Sequence, residues 1–113
     1  MTRPSLTEAE FAAQVTDLAT LLGWSAAHFR PAQTSKGWRT PVSGSLGKGW
    51  PDYVFAHPTH GVLFRELKRD GGNLTGDQLV VIALLRRAGA NVAVWRPRDM
   101  DSGRIERELR GAK

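Results

Sequence analysis

Cysteine is absent from this chain, and so are long apolar runs, internal repeats and low-complexity tracts. Without cysteine there is no disulfide framework and no thiolate metal site. No stretch reaches the roughly 18 consecutive apolar residues of a membrane span. The opening residues Met1-Thr2-Arg3-Pro4-Ser5 lack the apolar run of a secretory signal. The expectation is a cytoplasmic protein, of a bacterial or phage-infected cell, with no membrane partner. Acids are scarcer than bases, 11 against 16, which leaves a formal net charge of +5. Such a surplus favours a polyanionic partner, because Lys and Arg displace counterions from phosphates. The charges are dispersed, with no block of one sign that would read as a disordered tail. The 113 residues, 41% of them hydrophobic, are enough for one domain spanning 1–113 with one core.

Residues 31–50 lack both acids and apolar periodicity. They hold Pro31, Pro41, Gly37, Gly44, Gly47 and Gly49, which predicts a loop of about twenty residues. With Arg30 just before it, this stretch carries Lys36, Arg39 and Lys48 together with Trp38 and Trp50. Two readings stand side by side: a disordered insertion, or a flap whose cations meet phosphates while Trp38 stacks or wedges.

Elsewhere the periodicities are clear. Leu6, Phe11, Val15, Leu18 and Leu22 predict an amphipathic helix over 6–22, capped by Ser5 or Thr7 and ended by Gly23. A strand is expected at 24–30. Residues 52–56 and 62–68 read as strands joined by the turn His57-Pro58-Thr59-His60-Gly61. Thr75-Gly76-Asp77-Gln78 has capping-box spacing and opens a helix over about 76–88, with Leu79, Ile82 and Leu85 as its buried stripe. Residues 91–95 form a strand, and 99–110 a charged terminal helix. The order α-β-β-β-α-β-α predicts a mixed central sheet flanked by helices, in the α/β to α+β range. A parallel crossover onto the sheet is expected for 91–95.

Two carboxylates fall on neighbouring arms of the hairpin. With the turn at 57–61, Asp52 comes to lie opposite Glu66. Lys68, two residues on, leaves the strand on the same face as Glu66, while Arg65 and Leu67 point the other way. This grouping suits phosphodiester hydrolysis. Hard oxygen ligands such as Asp52 and Glu66 bind Mg²⁺ or Mn²⁺, and such an ion polarises a phosphoryl oxygen and activates water. A lysine ammonium alongside orients the water, steadies developing charge or takes part in proton transfer. Taken singly, each residue has a plain reading as a turn acid or a solvated ion pair. His28, His57 and His60 are not read as a metal site, since two of them lie in a turn beside a proline.

Gly49-Trp50-Pro51-Asp52, followed fourteen residues after the aspartate by Glu66-Leu67-Lys68, resembles the core signature of the PD-(D/E)XK nucleases. Leu74-Thr75-Gly76-Asp77-Gln78 and Ala88-Gly89-Ala90-Asn91-Val92 resemble the VRR-Nuc branch of that superfamily, and the likeness covers about residues 6–96. It implies a restriction-endonuclease-like fold in which Asp52 and Glu66 bind metal and the Leu67 carbonyl is a further ligand. Lys68 would be the catalytic lysine and Gln78 a glutamine near the site, a role that stands beside its capping-box reading. An acid of the leading helix would also reach the metal, with Glu10 preferred to Glu8 for its spacing before Phe11 and Gln14. Stand-alone members of this branch imply a homodimer that cuts branched DNA of the Holliday-junction type. DNA contacts would come from Lys36, Trp38, Arg39, Lys48 and Arg69. The loop 31–50 is longer than in the commoner small members. A non-catalytic nucleic-acid-binding module, or a nuclease subunit active only within a larger assembly, are the competing readings.

Overall fold

The computed structural model describes residues 6–30, 32–35, 37–39 and 42–111. The chain opens with helix α1, Glu8–Leu21. Thr7 caps it reciprocally with Glu10: the Glu10 amide donates to Thr7 Oγ1 at 3.1 Å, and the Thr7 amide donates to Glu10 Oε1 at 3.0 Å. Phe11, Val15 and Ala19 form its buried stripe, and Gly23, at φ 91°, turns the chain out of it.

Four strands make the main sheet: β1 (Ser25–His28), β4 (Tyr53–His57), β5 (Gly61–Leu67) and β6 (Val92–Trp95), in spatial order β1-β4-β5-β6. The first three are antiparallel, and β6 joins β5 in parallel after helix α2, Gly76–Arg87. This is an α+β fold with a mixed four-stranded sheet. The β4–β5 register pairs His57 with Gly61 and Tyr53 with Arg65, as the turn at 57–61 predicts. His57 closes that turn, its Nδ1 accepting the amides of Thr59 at 3.1 Å and His60 at 3.2 Å.

One face of the sheet presents Tyr53, Phe55, Leu63, Leu67 and Trp95. They pack with Phe11, Val15 and Ala19 of α1 and with Ile105 and Leu109 near the C-terminus. Arg65 shares that face and is buried. Its guanidinium lies 4.8 Å from the Trp95 ring centroid and donates to Glu108 Oε1 and Asn91 Oδ1, each at 2.9 Å. A charge this deep is stable only when paired and hydrogen-bonded in this way. α2 buries Val81 and Ile82, while Leu79, expected in its buried stripe, is exposed, and the helix also packs against β6 and the 3₁₀ turn Gly47–Gly49.

Two expectations are corrected. The stretch 31–50 contains the two-stranded antiparallel sheet β2 (Ala32–Thr34) with β3 (Gly37–Arg39), and then the 3₁₀ turn. Three-residue strands are too short to show alternation, so the hairpin leaves no periodic signal. The terminal helix is two helices, α3 (Pro97–Asp101) and α4 (Arg104–Leu109). Pro97 starts α3 in its first turn, where no amide partner is lost. Gly103, at φ 83°, breaks the continuation. Among the described residues no helix is long and apolar enough to cross a membrane.

The 3₁₀ turn depends on Gly49. A Cβ there would collide with the Asp77 carbonyl and with Val81 Cγ2. Gly49→Ala should therefore cost roughly 1–3 kcal/mol, lowering the melting temperature by roughly 5–15 °C in a domain of this size. Gly76→Ala, where an added Cβ meets nothing within 4 Å, is the control in the same thermal-denaturation experiment and should be close to neutral.

Candidate active site

The antiparallel register carries Asp52 across from Glu66, one step beyond the Tyr53–Arg65 pair. On its other side Asp52 is held by β1, its carbonyl accepting the Phe29 amide at 2.7 Å. Pro51 behind it is buried. Lys68 follows the last residue of β5, anchored by its amide to the Trp95 carbonyl at 3.0 Å. The N-termini of α1 and α2 approach the same end of the sheet. Between them opens a cavity of about 430 Å³, whose wall includes Glu8, His28, Arg30, Asp52, Glu66, Leu67, Lys68 and Gln78. Helix N-termini present unpaired amides and a positive dipole end, which suits an anionic ligand.

Glu66 is the unusual member. It is 2% exposed, and its Oε1 has no hydrogen-bond partner. Burial pushes its carboxyl up to about 9, helped by the hydrogen bond and negative charge of Asp52; Lys68 pulls the other way. A second acid, Glu8, adds to the upward push. A neutral Glu66 is how a buried acid stands beside the half-buried Asp52 without a cation.

That state has a consequence for stability. The unfolded chain releases the Glu66 proton around 4.5 and the folded chain only around 9. Over this interval the folded state binds the extra proton, so stability falls as pH rises. Glu66→Gln removes the effect. It should stabilise the protein near pH 8, with the gain shrinking to nothing towards about pH 4. Thermal melts of both proteins across that range check it; a constant difference would contradict it.

Of the residues singled out in the sequence, Asp52, Glu66, Leu67, Lys68 and Gln78 all line the cavity. Gln78 also fills its capping role: its amide donates to Thr75 Oγ1 at 3.1 Å and its Oε1 accepts the Thr75 amide at 2.9 Å. Glu10 does not line the cavity. It is exposed and turned back onto the helix start, where the hydrogen bonds from Thr7 lower its carboxyl. Glu8 stands in the cavity wall instead. Of the two helix acids the geometry favours Glu8 as the one facing the cavity, and the signal was present: Thr7-x-x-Glu10 is itself a capping box, which engages the Glu10 side chain. Lys48, in the 3₁₀ turn, and Arg69 are exposed and lie outside the cavity wall. Lys36 lies outside the described residues, and of Trp38 and Arg39 only the backbone, in β3, is described.

Two further cavity residues are His28, which the sequence pattern discounts as a metal ligand, and Tyr53, which carries no sequence signal. They are directly opposed in the β1–β4 register, and their rings stack at 4.1 Å with a 9° interplanar angle. Burial lowers the His28 imidazole, against the pull of Asp52, and raises the Tyr53 phenol.

The donor set fits a hard divalent cation. Two carboxylates, one buried with an orphan oxygen, are an incomplete cluster that a cation would complete. Among the described residues no three or more His, Asp or Glu side chains converge as a ready metal cage. Such a set matches Mg²⁺-type binding, which uses one or two carboxylates and keeps several waters. Compared with known proteins, the chain matches no family model, no curated protein and no solved structure.

Proposed function

We propose that this chain is a DNA endonuclease dependent on Mg²⁺ or Mn²⁺, with the active-site arrangement of the VRR-Nuc branch of the PD-(D/E)XK nucleases. The observation that carries the reading is Glu66, buried with an unpartnered oxygen between Asp52 and Lys68 in an open cavity. A protein that merely bound DNA would gain nothing from acids facing phosphates. Asp52 and Glu66 would hold the cation, with the Leu67 carbonyl as a further donor. The bound ion supplies Lewis-acid polarisation of the phosphodiester and a more acidic water.

The remaining work belongs to the chain. Glu66 would hold the cation as its carboxylate, its proton passing to solvent. Lys68 presents an ammonium on the same face as Glu66, which orients the attacking water or neutralises charge growing on the phosphoryl oxygens. Gln78 lies at the start of α2, so the dipole of that helix faces the anionic substrate. Glu8, in the cavity wall, adds negative potential there and would be a further point for holding water beside a bound cation. Glu8→Gln should therefore slow cleavage roughly tenfold, while Glu10→Gln, which keeps the capping box, should leave it unchanged; initial rates on one substrate compare the two.

Branched DNA is the substrate we favour, cut by a homodimer, since symmetric cutting of two strands needs two sites related by a two-fold axis. The test is incubation of purified protein with labelled four-way junction, flap, duplex and single strand, with Mn²⁺ or with EDTA. Ion-dependent products from at least one substrate are expected. Intact DNA in every lane would overturn the nuclease reading.

A further inference from the structure

Beside the acids the cavity does not end. His28, Arg30, Tyr53, Ala9 and Ala12 line both it and a second hollow of about 440 Å³ between α1 and the edge strand β1. Each hollow falls in the size range of small-molecule sites. The sheet face leading there is an aromatic series. Trp95 packs on Phe55 at 5.7 Å, Phe55 stacks on Tyr53 at 5.7 Å and 13°, and Tyr53 stacks on His28 at 4.1 Å and 9°. The inner rings are buried, and the last ring, His28, is exposed. An exposed flat ring at the end of such a series is a platform for one more ring. Arg30, exposed two residues further along the chain, supplies a cation at the same place.

We propose that this groove is a subsite for one unpaired nucleotide next to the scissile phosphate, its base stacked on His28 and its phosphate held by Arg30. The inference rests on the nuclease reading and narrows it: the strand being cut enters unstacked, as at a junction, a flap or a single-stranded segment. A regular duplex cannot supply this nucleotide without first extruding it.

The experiment measures binding in EDTA, where no cleavage occurs. The probes are a fluorescently labelled thymidine decamer and the same strand made abasic, read by anisotropy. Base stacking of this kind strengthens binding by roughly tenfold, so the wild-type chain should bind the thymidine strand about that much more tightly than the abasic one. His28→Ala should erase the difference and His28→Phe should keep it. Arg30→Gln should weaken both strands alike and reduce the salt slope by about one phosphate contact. All these positions are exposed, so the fold is expected to tolerate the changes; unaltered thermal melts verify it. A base-dependent difference that survives in His28→Ala, or that is absent from the wild type, would overturn the subsite. Failure of cleavage with the base-dependent binding intact would instead remove the nuclease reading, and with it the scissile phosphate, while His28 and Arg30 would stand as a binding site for an unpaired nucleotide.

Discussion

Asp52→Asn and Glu66→Gln should each reduce DNA cleavage by about a thousandfold or more, equivalent to about 4 kcal/mol in the barrier. Both side chains line the same cavity, with the buried Glu66 carboxyl hydrogen-bonded to Asp52. Each amide is close in size to the acid it replaces, so the loss would come from charge and not from packing. Glu66→Gln separates this loss from unfolding. Glu66→Gln should be more stable than the wild type at neutral pH, because it removes an acid that burial holds neutral. A protein that is better folded and yet inactive is difficult to explain by general damage. DNA binding in EDTA should persist in both variants and tighten in Asp52→Asn, which removes negative charge facing the phosphates, whereas Glu66 without the ion is already neutral. Single-turnover assays on the substrate cut by the wild type measure the effect, and wild-type rates in either variant would show the site to be wrongly assigned.

Lys68→Ala should lower the cleavage rate by about a hundred- to a thousandfold while leaving ion binding in place. The lysine backbone is fixed by the Trp95 carbonyl, and its side chain lies half-buried in the cavity wall. It acts on water or on the phosphoryl group and is not itself a ligand. Its removal should also raise the Glu66 carboxyl further, because Lys68 is the group that lowers it. The variant should therefore need a higher pH to load the ion, with the rate remaining low after loading. Rate measured against Mn²⁺ concentration at two pH values separates these effects. Unchanged turnover would reduce Lys68 to an ordinary surface charge.

Local signals in the sequence carried the reading furthest. The β4–β5 register was legible because one turn, at His57-Pro58-Thr59-His60-Gly61, sits between two strand patterns, and pairing then follows by counting. The start of α2 was legible because Thr75 and Gln78 have capping-box spacing. The grouping of Asp52, Glu66 and Lys68 rests on that one hairpin. The parts that were missed depend on contacts between distant segments, or on competition between two uses of one side chain. Tyr53 meets His28 only after β1 pairs with β4, twenty-five residues along the chain. Glu10 and Glu8 both look like metal ligands until one asks which of them caps the helix. The hairpin Ala32–Thr34 with Gly37–Arg39 is too short to register as a period. Arg65 looks like a solvent-facing charge by composition, although its alternation with Leu63 and Leu67 already assigns it to the core face. Its partner Glu108 lies forty-three residues away, beyond any local pattern.

Ion binding by Asp52 and Glu66 does not depend on which DNA structure is preferred, so the most direct test of this site leaves DNA out. Thermal denaturation near pH 8 with increasing Mn²⁺ should raise the melting temperature of the wild-type chain in proportion to the logarithm of ion concentration above its dissociation constant. The same titration should leave Asp52→Asn and Glu66→Gln unmoved. An equal rise in all three proteins, or none in the wild type, would contradict the claim that Asp52 and Glu66 hold a divalent cation.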